Sequence, residues 1–227
     1  MQNCTPDPHV LQAKSSRKQK NPHSPQSSLR AKAESTPQTL LEAALANATR
    51  GWPVFPCHTP LEDACSCQKG KDCSRIGKHP RTTNGLKDAT TDEERIRHWW
   101  TKWPDANIGL VAGHISGLVI LDVDGQKNGY KSLVALEQHY GALPETVMQT
   151  TGHGRHYLFQ HPGVRITNDV EKKLGPGLDI RGDGGYIIAA PSLHVSRKRY
   201  ASGRNTVRAT VGREFPTCTF SVCAAGS

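Results

Sequence analysis

The sequence predicts an α+β fold, with helices leading a series of short strands that group around glycine-rich turns. Three observations carry that expectation. Apolar residues recur at helical spacing near residues 40–45 and 96–103. From residue 107 onward the apolar runs are short and bounded by Gly, Pro, Asn and Asp. Strands and helices do not alternate as a doubly wound sheet requires.

Taken in order, Thr36-Pro37 opens the first helix, a capping side chain followed by proline at the first helical position. Leu40, Leu41, Ala44 and Leu45 form its apolar stripe, and Gly51 closes it. Pro53–Pro56 reads as a short edge strand, where prolines are tolerated. Thr91-Asp-Glu-Glu94 has the form of a capping box. Ile96, Trp99, Trp100 and Trp103 then follow at helical spacing as core residues, and Pro104 ends that helix. Asn107–Ala112 and Leu118–Asp124 are strands joined by a turn, and a helix runs to Tyr140 through Tyr130, Leu133, Val134 and Leu136. Thr146–Thr150 and Arg155–Gln160 form a hairpin around Gly152-His-Gly154. A second hairpin is expected from Gly177–Arg181 and Tyr186–Ala190 around Gly182-Asp-Gly-Gly185, with Asp183 as a turn former.

The 227 residues divide into a disordered basic arm (1–35), one ordered domain (36–200) and a ragged or truncated tail (201–227). The arm lacks the large apolar side chains that would offset its ordering entropy. It has no apolar core of a secretory signal, and no run approaches the roughly 20 apolar residues of a membrane span. A soluble, cytoplasmic protein with no membrane partner is expected. The net charge of +9 is carried by the flanks: residues 1–34 hold six Lys/Arg against two acids, and residues 193–227 six against one. Such flanks suit non-specific phosphate contact, although a solubilising tail explains each equally well. Of seven cysteines, Cys57, Cys65, Cys67 and Cys73 fall within 17 residues, beside His58 and His79. Without a secretory signal, metal binding is favoured over disulfides. The preferred Zn²⁺ set, in a loop spanning 57–81, is Cys65, Cys67, Cys73 and His79, with Cys57 as the alternative for one of the closely spaced pair.

Val119-Ile-Leu-Asp122-Val-Asp124-Gly is the most informative stretch. Alternation along a strand turns Asp122 and Asp124 to one face, away from Leu121 and Val123. Paired carboxylates at the end of a buried strand repel unless a cation neutralises them, and hard oxygen donors suit Mg²⁺ or Mn²⁺, whose ions about 3.5–4 Å apart clamp the oxygens of an in-line phosphoryl displacement. Taken alone, an Asp-x-Asp is more often a pair of turn or surface acids. In Thr151-Gly-His-Gly154-Arg155-His156, the glycines admit close backbone approach beside a phosphate, and His156 can donate to a triphosphate. An ordinary hairpin with a satisfied histidine accounts for the same residues. Asp179 and Arg181 share a strand face, giving a third carboxylate and a cation, or simply a salt-bridged strand.

Together, Asp122-x-Asp124, Gly-x-Gly154-x-His156 and Leu-Asp179-x-Arg181-Gly-Asp-Gly-Gly-Tyr-Ile-Ile-Ala-Ala-Pro-Ser192 resemble the bifunctional DNA primase/polymerase (Prim-Pol) family of the archaeo-eukaryotic primase type. Gly51-Trp-Pro-Val-Phe-Pro56, Gly77-Lys-His-Pro80, Asp88-Ala-Thr-Thr91, Trp99-Trp100 and Pro104-Asp-Ala-Asn-Ile-Gly109 match the same pattern, so the resemblance covers about 38–200. It implies a small α/β module joined to an RNA-recognition-like antiparallel sheet, with the site in the cleft between them. It also implies template-directed nucleotidyl transfer. Asp122, Asp124 and Asp179 would hold the catalytic metals. His156 would contact the nucleotide, with Gly154, Arg155 and Arg181 as further nucleotide-contacting candidates. Many relatives carry serine where this chain has Gly154, leaving a backbone N–H for the phosphate. Single-stranded DNA template, primer and nucleoside triphosphates are the implied partners. Relatives are often fused to a helicase or carried on mobile elements; no Gly-x-x-x-x-Gly-Lys-Ser/Thr loop occurs here, so a helicase would be a separate partner. The competing readings are a non-catalytic nucleic-acid-binding module, a truncated inactive replication protein, and a metal-dependent nuclease on the same carboxylates.

Overall fold

The computed structural model describes residues 39–168 and 174–204. In chain order the first elements are α1 (Leu40–Thr49), β1 (Val54–Cys57), α2 (Glu93–Lys102), β2 (Asn107–Val111) and β3 (Leu118–Asp124). They are followed by α3 (Gly129–Tyr140), β4 (Val147–Thr150), β5 (Gly154–Gln160), β6 (Leu178–Arg181), β7 (Tyr186–Ala189) and β8 (Ala201–Arg204). The strands make two antiparallel sheets, ordered β1-β2-β7 and β6-β3-β5-β4-β8, which places the domain in the α+β class.

The first sheet is covered by α1 and α2. Thr39 caps α1 in a reciprocal box with Glu42, while Thr36 and Pro37, where the helix was expected to open, lie outside the described residues. Ala43, Ala44 and Ala48 are its buried face. α2 is capped by Asp92 rather than by the expected Thr91: the Asp92 carboxylate accepts from the N–H groups of Glu94 (2.9 Å) and Arg95 (3.2 Å). Those N–H groups belong to the second and third helical residues, the reach of a capping side chain, and Thr91 stands one residue too far back. Ile96, Trp99 and Trp100 pack inward as expected, with the Trp100 indole N–H donating to the Ala106 carbonyl at 3.1 Å. β1 is the edge strand the prolines predict.

β3 is an interior strand of the five-stranded sheet, paired on both sides by β6 and β5. Leu118 and Ile120 face the core shared with the first sheet, whereas Val119, Leu121 and Val123 face a second core completed by Leu133 of α3. Burial on both faces explains the uninterrupted apolar run at its start. The chain turns back at His194–Lys198 and β8 then pairs with β4, which extends the sheet past residue 200. The arm and residues 205–227 lie outside the described residues.

One expected pairing is replaced by a crossing between sheets. β4 and β5 do form the first hairpin, but β6 and β7 do not form the second. β6 pairs with β3, and β7 with β2. The turn at 182–185 is closed by a Gly185 N–H to Gly182 carbonyl bond, but its other polar groups bind outside it and swing the chain from one sheet to the other. Asp183 accepts from the N–H of His114 (2.8 Å) and of Ile166 (2.9 Å), and Gly182 donates to the Asn168 side chain. β2 and β3, although joined by a short turn, likewise belong to different sheets.

Asp183→Ala should lower stability by about 2–3 kcal/mol in urea unfolding at pH 7, because two N–H groups lose a charged acceptor. The His114 N–H and, despite some burial, the Ile166 N–H and His161 hold the Asp183 carboxyl below its usual range. Its contribution is therefore complete above the unfolded value near pH 3.9 and lost as pH falls through the folded value, where variant and wild type should converge.

Candidate active site and metal cluster

Strand register builds the site. Asp122 of β3 lies opposite His156 of β5 on one side and Asp179 of β6 on the other, and His156 lies opposite Gln149 of β4. One row across four strands thus reads Asp179, Asp122, His156, Gln149. Its side chains continue the face of Leu118 and Ile120, at the point where apolar cover ends and a cleft of about 310 Å³ begins. Asp122, His156 and Arg181 form its floor, and Arg75, Lys78 and Tyr186 stand across from them.

Asp122 is held from both sides. Its Oδ1 lies 3.4 Å from His156 Nε2 and its Oδ2 lies 3.4 Å from Arg181 Nη2, which also meets Asp179 at 2.5 Å. Burial pushes the Asp122 carboxyl up, but the hydrogen bond from His156 and the Arg181 guanidinium outweigh it and keep it below the usual range. Asp124, at the strand's end, accepts from the Gln126 N–H at 2.9 Å and lies 3.9 Å from Lys127. Asp122 lines the cleft, with Asp179 its neighbour across the strand pair and Asp124 two residues on along β3, and carboxylate oxygens are hard donors of the kind that suits Mg²⁺ or Mn²⁺.

Gln149, which the sequence reading did not single out, orders this row. Its amide oxygen accepts from the Ala190 N–H (2.9 Å), and its nitrogen donates to the Ile188 carbonyl (2.7 Å), which fixes the orientation of the amide. The same nitrogen lies 2.7 Å from His156 Nδ1. Nδ1 must therefore accept, and the ring proton sits on Nε2, facing Asp122 and the cleft. The signal was available in principle: counting back through the 152–154 turn pairs residue 149 with 156.

Other expected residues are placed differently. Arg155 projects to the opposite face of β5, its guanidinium 5.7 Å from the Tyr130 ring, and so stands outside the cleft. The Gly154 N–H donates to Thr151 Oγ1 at 2.9 Å, which commits the donor that a phosphate was expected to use. Glycine is nevertheless needed there, since a Cβ would collide with the Val123 carbonyl oxygen.

Cys65, Cys67, Cys73 and His79 come together as the spacing suggested, with all four ligand atoms within 4.8 Å of one another. His79 Nε2 is 3.4 Å from both Cys65 Sγ and Cys73 Sγ. Three sulfurs and one imidazole nitrogen form a donor set that fits a tetrahedral ion. Cys57 stands apart: it is fully buried in β1, and burial pushes its thiol up.

Fold and site together define an α+β protein with an acidic, histidine-bearing cleft beside a Cys₃His cluster that could hold a metal ion. The family model for the bifunctional DNA primase/polymerase N-terminal domain matches residues 44–217, and the chain belongs to that family. Membership implies a nucleotidyltransferase-type enzyme of the DNA primase/polymerase class, with nucleic acid and nucleotides as substrates. No curated protein matches the chain. Among the described residues no helix is long and apolar enough to cross a membrane.

Gln149→Leu should strand the buried Ile188 carbonyl and Ala190 N–H, lowering stability by about 2–4 kcal/mol. In ¹⁵N-detected NMR the wild-type His156 should carry its proton on Nε2, and the variant should show a tautomer mixture.

Proposed function

We propose that the domain catalyses template-directed nucleotidyl transfer, joining nucleoside triphosphates to a primer on single-stranded DNA, and that it also starts chains without a primer. The observation that carries this reading is the Asp179, Asp122, His156 row, whose Asp122 and His156 line a cleft together with Arg75 and Lys78. Bound by Asp122, Asp124 and Asp179, Mg²⁺ or Mn²⁺ would supply the positive charge that activates a 3′-hydroxyl and stabilises departing pyrophosphate. The chain's own groups do the positioning. His156, its tautomer held by Gln149, carries its proton on Nε2 beside Asp122, where a phosphate oxygen entering the cleft would share it with that carboxylate. Arg181 balances Asp122 and Asp179 and offers its remaining N–H groups to phosphate. No side chain has to act as nucleophile, because the attacking group is the primer's own hydroxyl. In the Cys₃His cluster Zn²⁺ serves a structural role.

Primer extension with dNTPs and Mn²⁺ or Mg²⁺ tests the reaction. Asp122→Ala and Asp124→Ala should each reduce the rate by about two to three orders of magnitude while the proteins stay folded. Full activity in either variant would exclude this site. A nuclease on the same carboxylates would instead degrade the primer without triphosphates and would tolerate His156→Ala.

Metal analysis tests the second site. Wild type should carry one Zn²⁺ per chain, Cys73→Ser should lose it, and Cys57→Ser should keep it, because Cys57 lies in the core away from the cluster.

A further inference from the structure

Resting on that reading, we infer that the Cys/His loop has a second role: its last turn is the triphosphate-binding wall of the cleft, held in place by the metal. Cys73 and His79 are the last two cluster ligands, and the residues between them cross the mouth of the cleft. Arg75 comes two residues after Cys73, and Lys78 immediately precedes His79. Both line the same cavity as Asp122, His156 and Arg181.

The turn is built to present these two side chains. The Lys78 N–H donates to the Arg75 carbonyl at 3.0 Å, closing a four-residue turn. Gly77 takes φ +71° within it, and a Cβ there would come within 2.7 Å of Pro60 Cδ, so the turn lies flat against the loop's own start. Buried Asn107 of β2 donates to the Gly77 carbonyl at 2.9 Å. The Tyr186 hydroxyl donates to the Lys78 carbonyl at 2.7 Å and accepts from Arg75 Nη2 at 3.2 Å. These bonds use the backbone of Lys78 and one guanidinium N–H of Arg75. Among the described residues the Lys78 ammonium has no ion pair within 4.0 Å, so it and the remaining Arg75 donors are available to an anion across from the carboxylates.

The chemistry favours the terminal phosphates of a nucleotide over a nucleic-acid backbone. Arg75 and Lys78 share with Asp122, His156 and Arg181 one concave site of about 310 Å³, the lower end of the range for small-ligand pockets. Ions held by the carboxylates and cations on the opposite wall would enclose a polyphosphate from both sides. If the metal is lost, three clustered cysteines no longer have a common centre, and the turn is left to its hydrogen bonds, among them those to Asn107 and Tyr186.

Equilibrium binding of dATP, dAMP and a short single-stranded oligonucleotide, measured by calorimetry with Ca²⁺ in place of a turnover-supporting ion, tests the inference. The expected result is that Arg75→Ala/Lys78→Ala keeps its Zn²⁺ and its thermal midpoint but binds dATP at least about tenfold more weakly, with dAMP and oligonucleotide affinity little changed. Removing Zn²⁺ from wild type with a chelator, then restoring Ca²⁺, should weaken dATP binding comparably, and adding Zn²⁺ back should restore it. Unchanged dATP affinity in the double variant overturns the inference while leaving nucleotidyl transfer intact, as does a loss confined to the oligonucleotide. Unchanged dATP affinity after Zn²⁺ removal overturns the coupling to the metal. Failure of wild type to bind dATP at all overturns both this inference and the proposed reaction.

Discussion

Everything at the site depends on the register in which β3 pairs with its two neighbours. Asp122 lies opposite His156 and Asp179 at once, so one strand position gathers an imidazole and a second carboxylate without any loop having to place them. A slip of one residue would turn Asp122 and Asp124 toward α3 and bring Val123 into the cleft. The slip is opposed by packing on both faces of the strand, since Leu118 and Ile120 would exchange places with Val119 and Leu121 between two differently shaped cores. The apolar half of β3 thus specifies the position of its acidic half.

Around that strand, the polar groups that matter bind across elements rather than within them. Gln149 sits on the five-stranded sheet, yet both its amide atoms bond the backbone around β7 of the other sheet. Asp183 ties a turn after β6 to the loop after β2 and to residue 166. Asn107 links β2 to the Cys/His loop and to the segment near Leu193. Each is a short side chain satisfying backbone groups that neither sheet could pair internally. In this way the cleft floor, its opposite wall and the loop bearing the Cys₃His cluster are joined by specific bonds.

Much of this was legible in advance, and the reasons differ from residue to residue. The pairing of Asp122 with Asp124 on one face followed from the two-residue period of a strand, and the β4–β5 hairpin from its Gly-His-Gly turn. The Cys65, Cys67, Cys73, His79 grouping followed from the chemistry of thiolates and imidazole in a short loop. The β6–β7 hairpin was misread because Gly182-Asp-Gly-Gly185 has the composition of a hairpin turn. Only the bonds Asp183 makes to His114 and Ile166 reveal that it joins two sheets. The cap of α2 was misplaced by one residue because Thr91 and Asp92 are both good caps, and their backbone geometry chooses between them.

By itself the sequence determined what is local: the α+β class, the apolar stripes, the carboxylate face of β3 and the residue types able to hold metals. These follow from periodicity and side-chain chemistry, which act over a few residues. Tertiary structure alone decided which strands share a sheet, that the Gln149 amide is oriented by the backbone around β7, and that Arg75 and Lys78 line the cleft. Those outcomes depend on pairings between residues that are distant in the chain, and their free energies are realised only when both cores are packed.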